Sequence, residues 1–181
     1  MLSQLKAHFH ITLGDVDSEQ LMFAAKLIGA KCTTIDLHRD TRSQRDRMLT
    51  KYQKGIELDI MQTSVSKLEQ AGFKVLRYKL ELMFDTVEDW LEQSFTQDMY
   101  GEVHIKTQSS HPTVETGFFQ LSSNAEEVDY RFYNGRVYSA EDKLLFLKAY
   151  QTLVDQKVPI KGSHLEKTIF DSKYQFDSWW A

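Results

Sequence analysis

The sequence predicts an α+β fold in which helices pack on one face of a mainly antiparallel sheet. Segments such as 7–13 (AHFHITL), 73–84 (FKVLRYKLELMF) and 100–107 (YGEVHIKT) alternate apolar and polar residues. That period of two puts successive strand side chains on opposite faces. Between them, 18–28 and 140–156 carry apolar residues at three- and four-residue spacings, the stripe of an amphipathic helix. A third observation is internal: LELMFDT at 80–86 matches LEKTIFDS at 165–172 with one insertion, and HFHITL resembles EVHIKT. These matches are consistent with two degenerate ferredoxin-like halves. The expected organisation is a single compact domain, 1–181, pseudo-duplicated as lobes 1–98 and 99–181.

The elements follow in order. In the first strand Phe9, Ile11 and Leu13 face one way and His8, His10 and Thr12 the other. Gly14-Asp15 ends it, and Ser18 is positioned to cap a helix that runs to Ile28 and stops at Gly29. The β-branched stretch 31–37 reads as a strand. From 38 to 54 the chain is very polar and is expected to form an exposed loop and helix, with Met48, Leu49 and Tyr52 as a narrow packing face. A helix is expected over 63–71, closed by Gly72. The strand 73–84 then points Leu76, Tyr78, Leu80 and Leu82 to the core and Arg77, Lys79 and Glu81 away from it.

Asp85 or Thr86 can cap a short helix containing Val87, Trp90 and Leu91. In the strand 100–107, Val103 and Ile105 point inward and Glu102, His104 and Lys106 outward. A loop over 108–116 leads to strands near 117–121 and 128–136; Asn134-Gly135 is a turn signal that also allows a hairpin in the second of them. The helix 140–156 and a strand over 165–170 complete the pattern, before an aromatic tail with Phe176, Trp179 and Trp180.

Composition limits the function classes. The chain holds 22 Lys and Arg against 26 Asp and Glu, a net charge of -4, so it exerts no long-range attraction on nucleic-acid phosphates. Arg39, Arg42 and Arg45 recur every three residues but are interrupted by Asp40 and Asp46, which favours a solvated helix over an RNA footprint. A single cysteine, Cys32, excludes an intrachain disulfide and favours a reducing compartment. With no continuous apolar stretch at the start and no 18-residue uncharged apolar window, a secretory signal and a membrane span are not expected, and the cytoplasm is the expected location.

The chemistry lies in the polar strand faces. His8, His10 and Thr12 share one strand, Arg77, Lys79 and Glu81 a second, and Glu102, His104 and Lys106 a third. Side by side, they form a surface where histidines exchange protons, carboxylates orient them and cations hold an anion. The catalytic candidates are therefore His10, His104, Glu81 and Glu102; the ligand-binding candidates are His8, Thr12, Arg77, Lys79 and Lys106. The expected function is a phosphoester hydrolase acting on a small phosphorylated or nucleotide-like substrate through paired histidines. Two alternatives are a non-catalytic protein binding an anionic small molecule, and an interaction protein that self-associates through its aromatic C-terminus.

His10-Ile11-Thr12-Leu13 resembles one half of the His-x-Thr/Ser signature of the two-histidine phosphoesterases, which cleave cyclic phosphates or 2'-5' linkages across a duplicated sheet. The resemblance implies His10 as an acid or base and Thr12 as a phosphate anchor. Two segments compete for the second half: His111-Pro112-Thr113-Val114, in an expected loop, and His104-Ile105-Lys106-Thr107, which has lysine where the hydroxyl residue belongs. The competing use of these residues is a metal site formed by His8 and His10 with Glu102, His104 or Glu81. No H-E-x-x-H, Cys-x-x-Cys or other fixed-spacing ligand set occurs, so no metal is expected, and the sequence names no cofactor.

Overall fold

A computed structural model describes residues 6–39 and 42–173. The elements run β1 (Lys6–Leu13), α1 (Ser18–Ile28), β2 (Lys31–Arg39), β3 (Arg42–Lys54), α2 (Leu58–Gln70) and β4 (Val75–Phe84), then α3 (Val87–Leu91), β5 (Gly101–Gln108), β6 (Gln120–Asn124), β7 (Tyr130–Val137), α4 (Ala140–Asp155) and β8 (Ile160–Asp171). The strands pair antiparallel throughout and close into a barrel in the order β1-β3-β2-β6-β7-β5-β8-β4. The expected α+β architecture with an antiparallel sheet is present, but the sheet is a closed eight-stranded barrel rather than a plain ferredoxin-like one. Pairing β2 with β6 and β4 with β8 satisfies the strand edges that an open sheet would leave bare.

Closure explains where the apolar residues go. Phe9, Ile11 and Leu49 on the outer wall pack with Leu21 and Ile28 of α1 and Met61 and Leu68 of α2. On the other half, Val103, Ile105 and Leu165 pack with Trp90 of α3 and Phe146 and Leu153 of α4. Two apolar cores therefore lie between wall and helices, and the alternating polar residues turn into the lumen. The polar faces expected to be solvated are in fact enclosed: His8, Arg77, Lys79, Glu81 and Glu102 are all buried.

Local signals held where short-range chemistry sets them. Helix α1 is closed by Gly29 at φ 65, although its N-cap is Asp17, one residue early, in a reciprocal capping box with Gln20. Thr86 caps α3, as expected. The segment 38–54 is the main revision. Its described residues belong to the paired strands β2 and β3, with Asp46, Met48, Thr50 and Tyr52 on the cavity wall and Leu49 in the outer core. A strand with a polar inner face and little apolar residue outside hides its period of two. Asn134-Gly135 is no turn either: both residues lie within β7, opposite His104 and Val103. Helix α2 starts earlier than expected, and β6 lies a few residues later.

Gly135 is required by close approach, because the ring of Phe118 occupies the space a Cβ would fill. Gly135→Ala is expected to cost about 1–3 kcal/mol through overpacking. Urea unfolding would show it as a lower midpoint at unchanged slope. Among the described residues, no helix is long and apolar enough to cross a membrane. Phe176, Trp179 and Trp180 lie outside the described residues.

Candidate active site in the barrel lumen

Strand register assembles the site. On β1 and β4, His8 faces Glu81, His10 faces Lys79 and Thr12 faces Arg77. On β5, Glu102 sits between Arg136 of β7 and Glu166 of β8, and His104 between Asn134 and His164. Residues opposite one another share a face, so these side chains all enter the same lumen. It holds a cavity of about 400 Å³, lined by His10, Thr12, Thr50, Lys79, Glu102 and His104 among others. His8, Arg77, Arg136 and Glu166 also reach it.

Two carboxylates organise the histidines. Glu81 Oε2 lies 3.3 Å from His8 Nε2 and 3.1 Å from His10 Nε2. Its other oxygen accepts from Lys79 Nζ at 2.8 Å and Thr168 Oγ1 at 2.9 Å, so the carboxylate is held from both sides. Glu166 bridges the halves, with Oε1 3.3 Å from His8 Nε2 and Oε2 3.3 Å from His104 Nε2. Glu102 closes the network: it accepts from Lys79 Nζ at 2.7 Å and from Arg136 Nε at 2.9 Å.

The proton pattern on His104 follows from its neighbours. Asn134 donates its amide NH2 to the backbone oxygens of Gln120 and Phe132, which leaves Oδ1 to face His104 Nδ1 at 2.7 Å. That nitrogen must donate. The other ring nitrogen faces the carboxylates of Glu102 and Glu166, so it donates as well, and the ring is an imidazolium. Burial opposes this charge, but the hydrogen bonds to Glu102 and Glu166 outweigh it and push the pKa up to about 10.

His8 is also raised: burial is its largest influence and opposes charging, while Glu166 and Glu81 overcome it. His10 is lowered by burial and then by His8, against the pull of Glu81. Glu81 and Glu102 would be raised by burial, yet Lys79 foremost, with the histidines at Glu81 and Arg136 at Glu102, holds both well below the ordinary carboxylate range.

A separate clamp ties β4 to β8. Arg77 holds Asp171 through both carboxylate oxygens, with Nε at 2.9 Å from Oδ1, and Tyr100 Oη bridges the pair at 2.8 Å from Arg77 and 2.7 Å from Asp171.

Of the residues singled out from the sequence, His8, His10, Thr12, Arg77, Lys79, Glu102 and His104 line the one cavity, and Glu81 lies in contact with His8, His10 and Lys79. Lys106 stands apart, paired with Glu127 and 4.1 Å above the ring of Tyr130. His111 is in the loop after β5, with Nδ1 2.9 Å from the oxygen of Pro112. Cys32 lines the cavity, but burial and then Glu126 raise its thiol, which disfavours the nucleophilic form.

Sequence reasoning missed Glu166, Arg136, Asn134 and Thr50 as site residues. Glu166 had a signal, since it is the counterpart of Glu81 in the internal match. Asn134 was masked by its glycine neighbour, and Thr50 by the surrounding charges.

No family model and no curated protein matches the chain. Two solved structures are similar over most of its length. One is a DypB variant from Rhodococcus jostii in complex with heme, at 9% identity and a TM-score of 0.29, covering 91% of this chain and 93% of that one. The other is chlorite dismutase from Candidatus Nitrospira defluvii in complex with imidazole, at 12% identity and a TM-score of 0.29, covering 90% of each chain. The site is therefore read from its own residues.

Proposed function

We propose that the lumen is the active site of a hydrolase acting on a small phosphoester, phosphorylated or nucleotide-like. The observation that carries this reading is that His10 and His104, 94 residues apart in sequence, line the same cavity together with the fixed cations Lys79 and Arg136. A cavity of about 400 Å³ suits a small molecule. Lys79 and Arg136 are pinned by Glu102, so they present N–H groups at set positions, which is how developing phosphoryl charge is stabilised without reorganisation. Thr12 and Thr50 add hydroxyls to the wall. Water would be activated at the His8–His10–Glu81–Glu166 end, while the His104 Nε2–H would leave Glu102 and Glu166 to donate to the leaving oxygen.

The alternative of an anion binder without chemistry is less well supported, because it leaves the paired histidines His10 and His104 without a use. The same reading takes the chain as two pseudo-duplicated ferredoxin-like lobes, 1–98 and 99–181. Equivalent strand orders, β4-β1-β3-β2 and β8-β5-β7-β6, support it.

The test is purified protein against cyclic nucleotides, phosphomonoesters and generic phosphodiesters, followed by His104→Ala and His10→Ala on any substrate turned over. Both variants are expected to lose turnover while keeping the fold by circular dichroism. No turnover anywhere in the panel, or full rates in both variants, would remove the proposal.

A further inference from the structure

The end of the lumen formed by β1, β4 and β8 has the donor set of a transition-metal centre. His8, His10, Glu81 and Glu166 each offer one ligand atom, all within 4.8 Å of one another. Three of the separations are 3.3, 3.3 and 3.1 Å, between His8 Nε2 and Glu81, His8 Nε2 and Glu166, and His10 Nε2 and Glu81. A tetrahedral shell with bonds of about 2.0–2.1 Å has edges of about 3.3 Å, so these three pairs already stand at ligand spacing.

The surroundings orient these donors as the outer layer of a metal site does. His10 Nδ1 meets Thr50 Oγ1 at 2.8 Å, which leaves Nε2 to face inward. Lys79 and Thr168 hold the far oxygen of Glu81, and His104 holds the far oxygen of Glu166. His8 is 3% exposed and its Nδ1 has no hydrogen-bond partner among the described residues, so the polar contacts of that ring there all go to this cluster.

The charges around the site set what an ion would bring with it. Glu81, Glu102 and Glu166 face Lys79, Arg136 and the His104 imidazolium, three buried carboxylates against three cations. Among the described residues, the ion-pair partners of Glu166 are imidazoles alone, His8 and His104. With His8 and His10 neutral as ligands, a divalent ion would add two positive charges to that balanced set. An anionic ligand in the adjoining cavity would then balance the excess.

We infer that His8, His10, Glu81 and Glu166 bind one first-row divalent transition metal, with zinc or ferrous iron favoured over magnesium or calcium because half of the donors are imidazole nitrogens. In the lumen such an ion would polarise an oxygen of the bound substrate. The site itself does not depend on the substrate being a phosphoester.

Full-length protein, stripped with chelator and dialysed, would be titrated with Zn²⁺ by calorimetry and with Co²⁺ by visible absorption. One ion per chain is expected, with a Co²⁺ spectrum of mixed nitrogen and oxygen ligation. Glu166→Gln and His10→Ala should weaken binding by more than about 100-fold, and Thr50→Ala, which only orients His10, by about 10-fold. His111→Ala, in the exposed loop, should change nothing. The inference is overturned if the wild-type protein takes up no stoichiometric ion, or if removing His111 matters as much as removing Glu166. If a ligand variant fails to fold, the wild-type stoichiometry and the Thr50→Ala titration still decide. No arm uses a substrate, so an absence of phosphoester turnover would leave this result standing.

Discussion

Lys79→Ala is expected to lower the unfolding free energy by about 3–5 kcal/mol, the range for removing one partner of a buried ion pair. Lys79 is buried and bridges two carboxylates, Glu81 at 2.8 Å and Glu102 at 2.7 Å. Without it, Glu102 keeps Arg136, but Glu81 keeps only imidazoles and the hydroxyl of Thr168. Most of the cost is that of stranding charge in a low-dielectric lumen, so it should fall when a charge is removed with it. The double variant Lys79→Ala with Glu81→Gln is accordingly expected to lose less than the two single variants added together. Equilibrium unfolding in urea measures all three. Additive losses would mean that Lys79 stabilises the barrel by packing alone.

Asp171→Asn is expected to cost about 3 kcal/mol at neutral pH, because it breaks the bidentate, buried contact with Arg77 and weakens the bridge through Tyr100. Burial would raise the pKa of this carboxyl, but Arg77 first and then Tyr100 hold it below its ordinary value of 3.8. A carboxyl depressed in the folded state contributes its full stabilisation above the unfolded pKa and loses it as pH falls through the folded value. Wild type and variant should therefore differ most at neutral pH and converge below about pH 4. Stability curves that stay parallel down to acid pH would show that Asp171 acts by shape rather than by charge.

Before any coordinates, the alternation in β1, β4 and β5 was enough to group His8, His10 and Thr12, then Arg77, Lys79 and Glu81, then Glu102 and His104, each on a common strand face. A strand's period of two is local, so it can be read from the chain alone. The same holds for the stops and caps, such as Gly29 behind α1 and Thr86 ahead of α3, where one residue's backbone or side chain decides the outcome.

What lay beyond the sequence was which face would be enclosed. Alternation looks identical whether the polar side meets water or another polar wall. The closure of β2 on β6 and of β4 on β8 decides between these, through pairings of residues as far apart as Ile35 and Asn124 or Lys79 and Asp171. Closure also explains the segment 42–54, whose polar residues read as solvent-exposed but whose Asp46 and Thr50 are buried. It brings Glu166 between His8 and His104 as well. The sequence by itself determined the residue types on each strand face and hence the acid–base character of the site. Only the tertiary structure decided that those faces meet in an enclosed lumen, because contact across a barrel depends on long-range strand pairing and not on local periodicity.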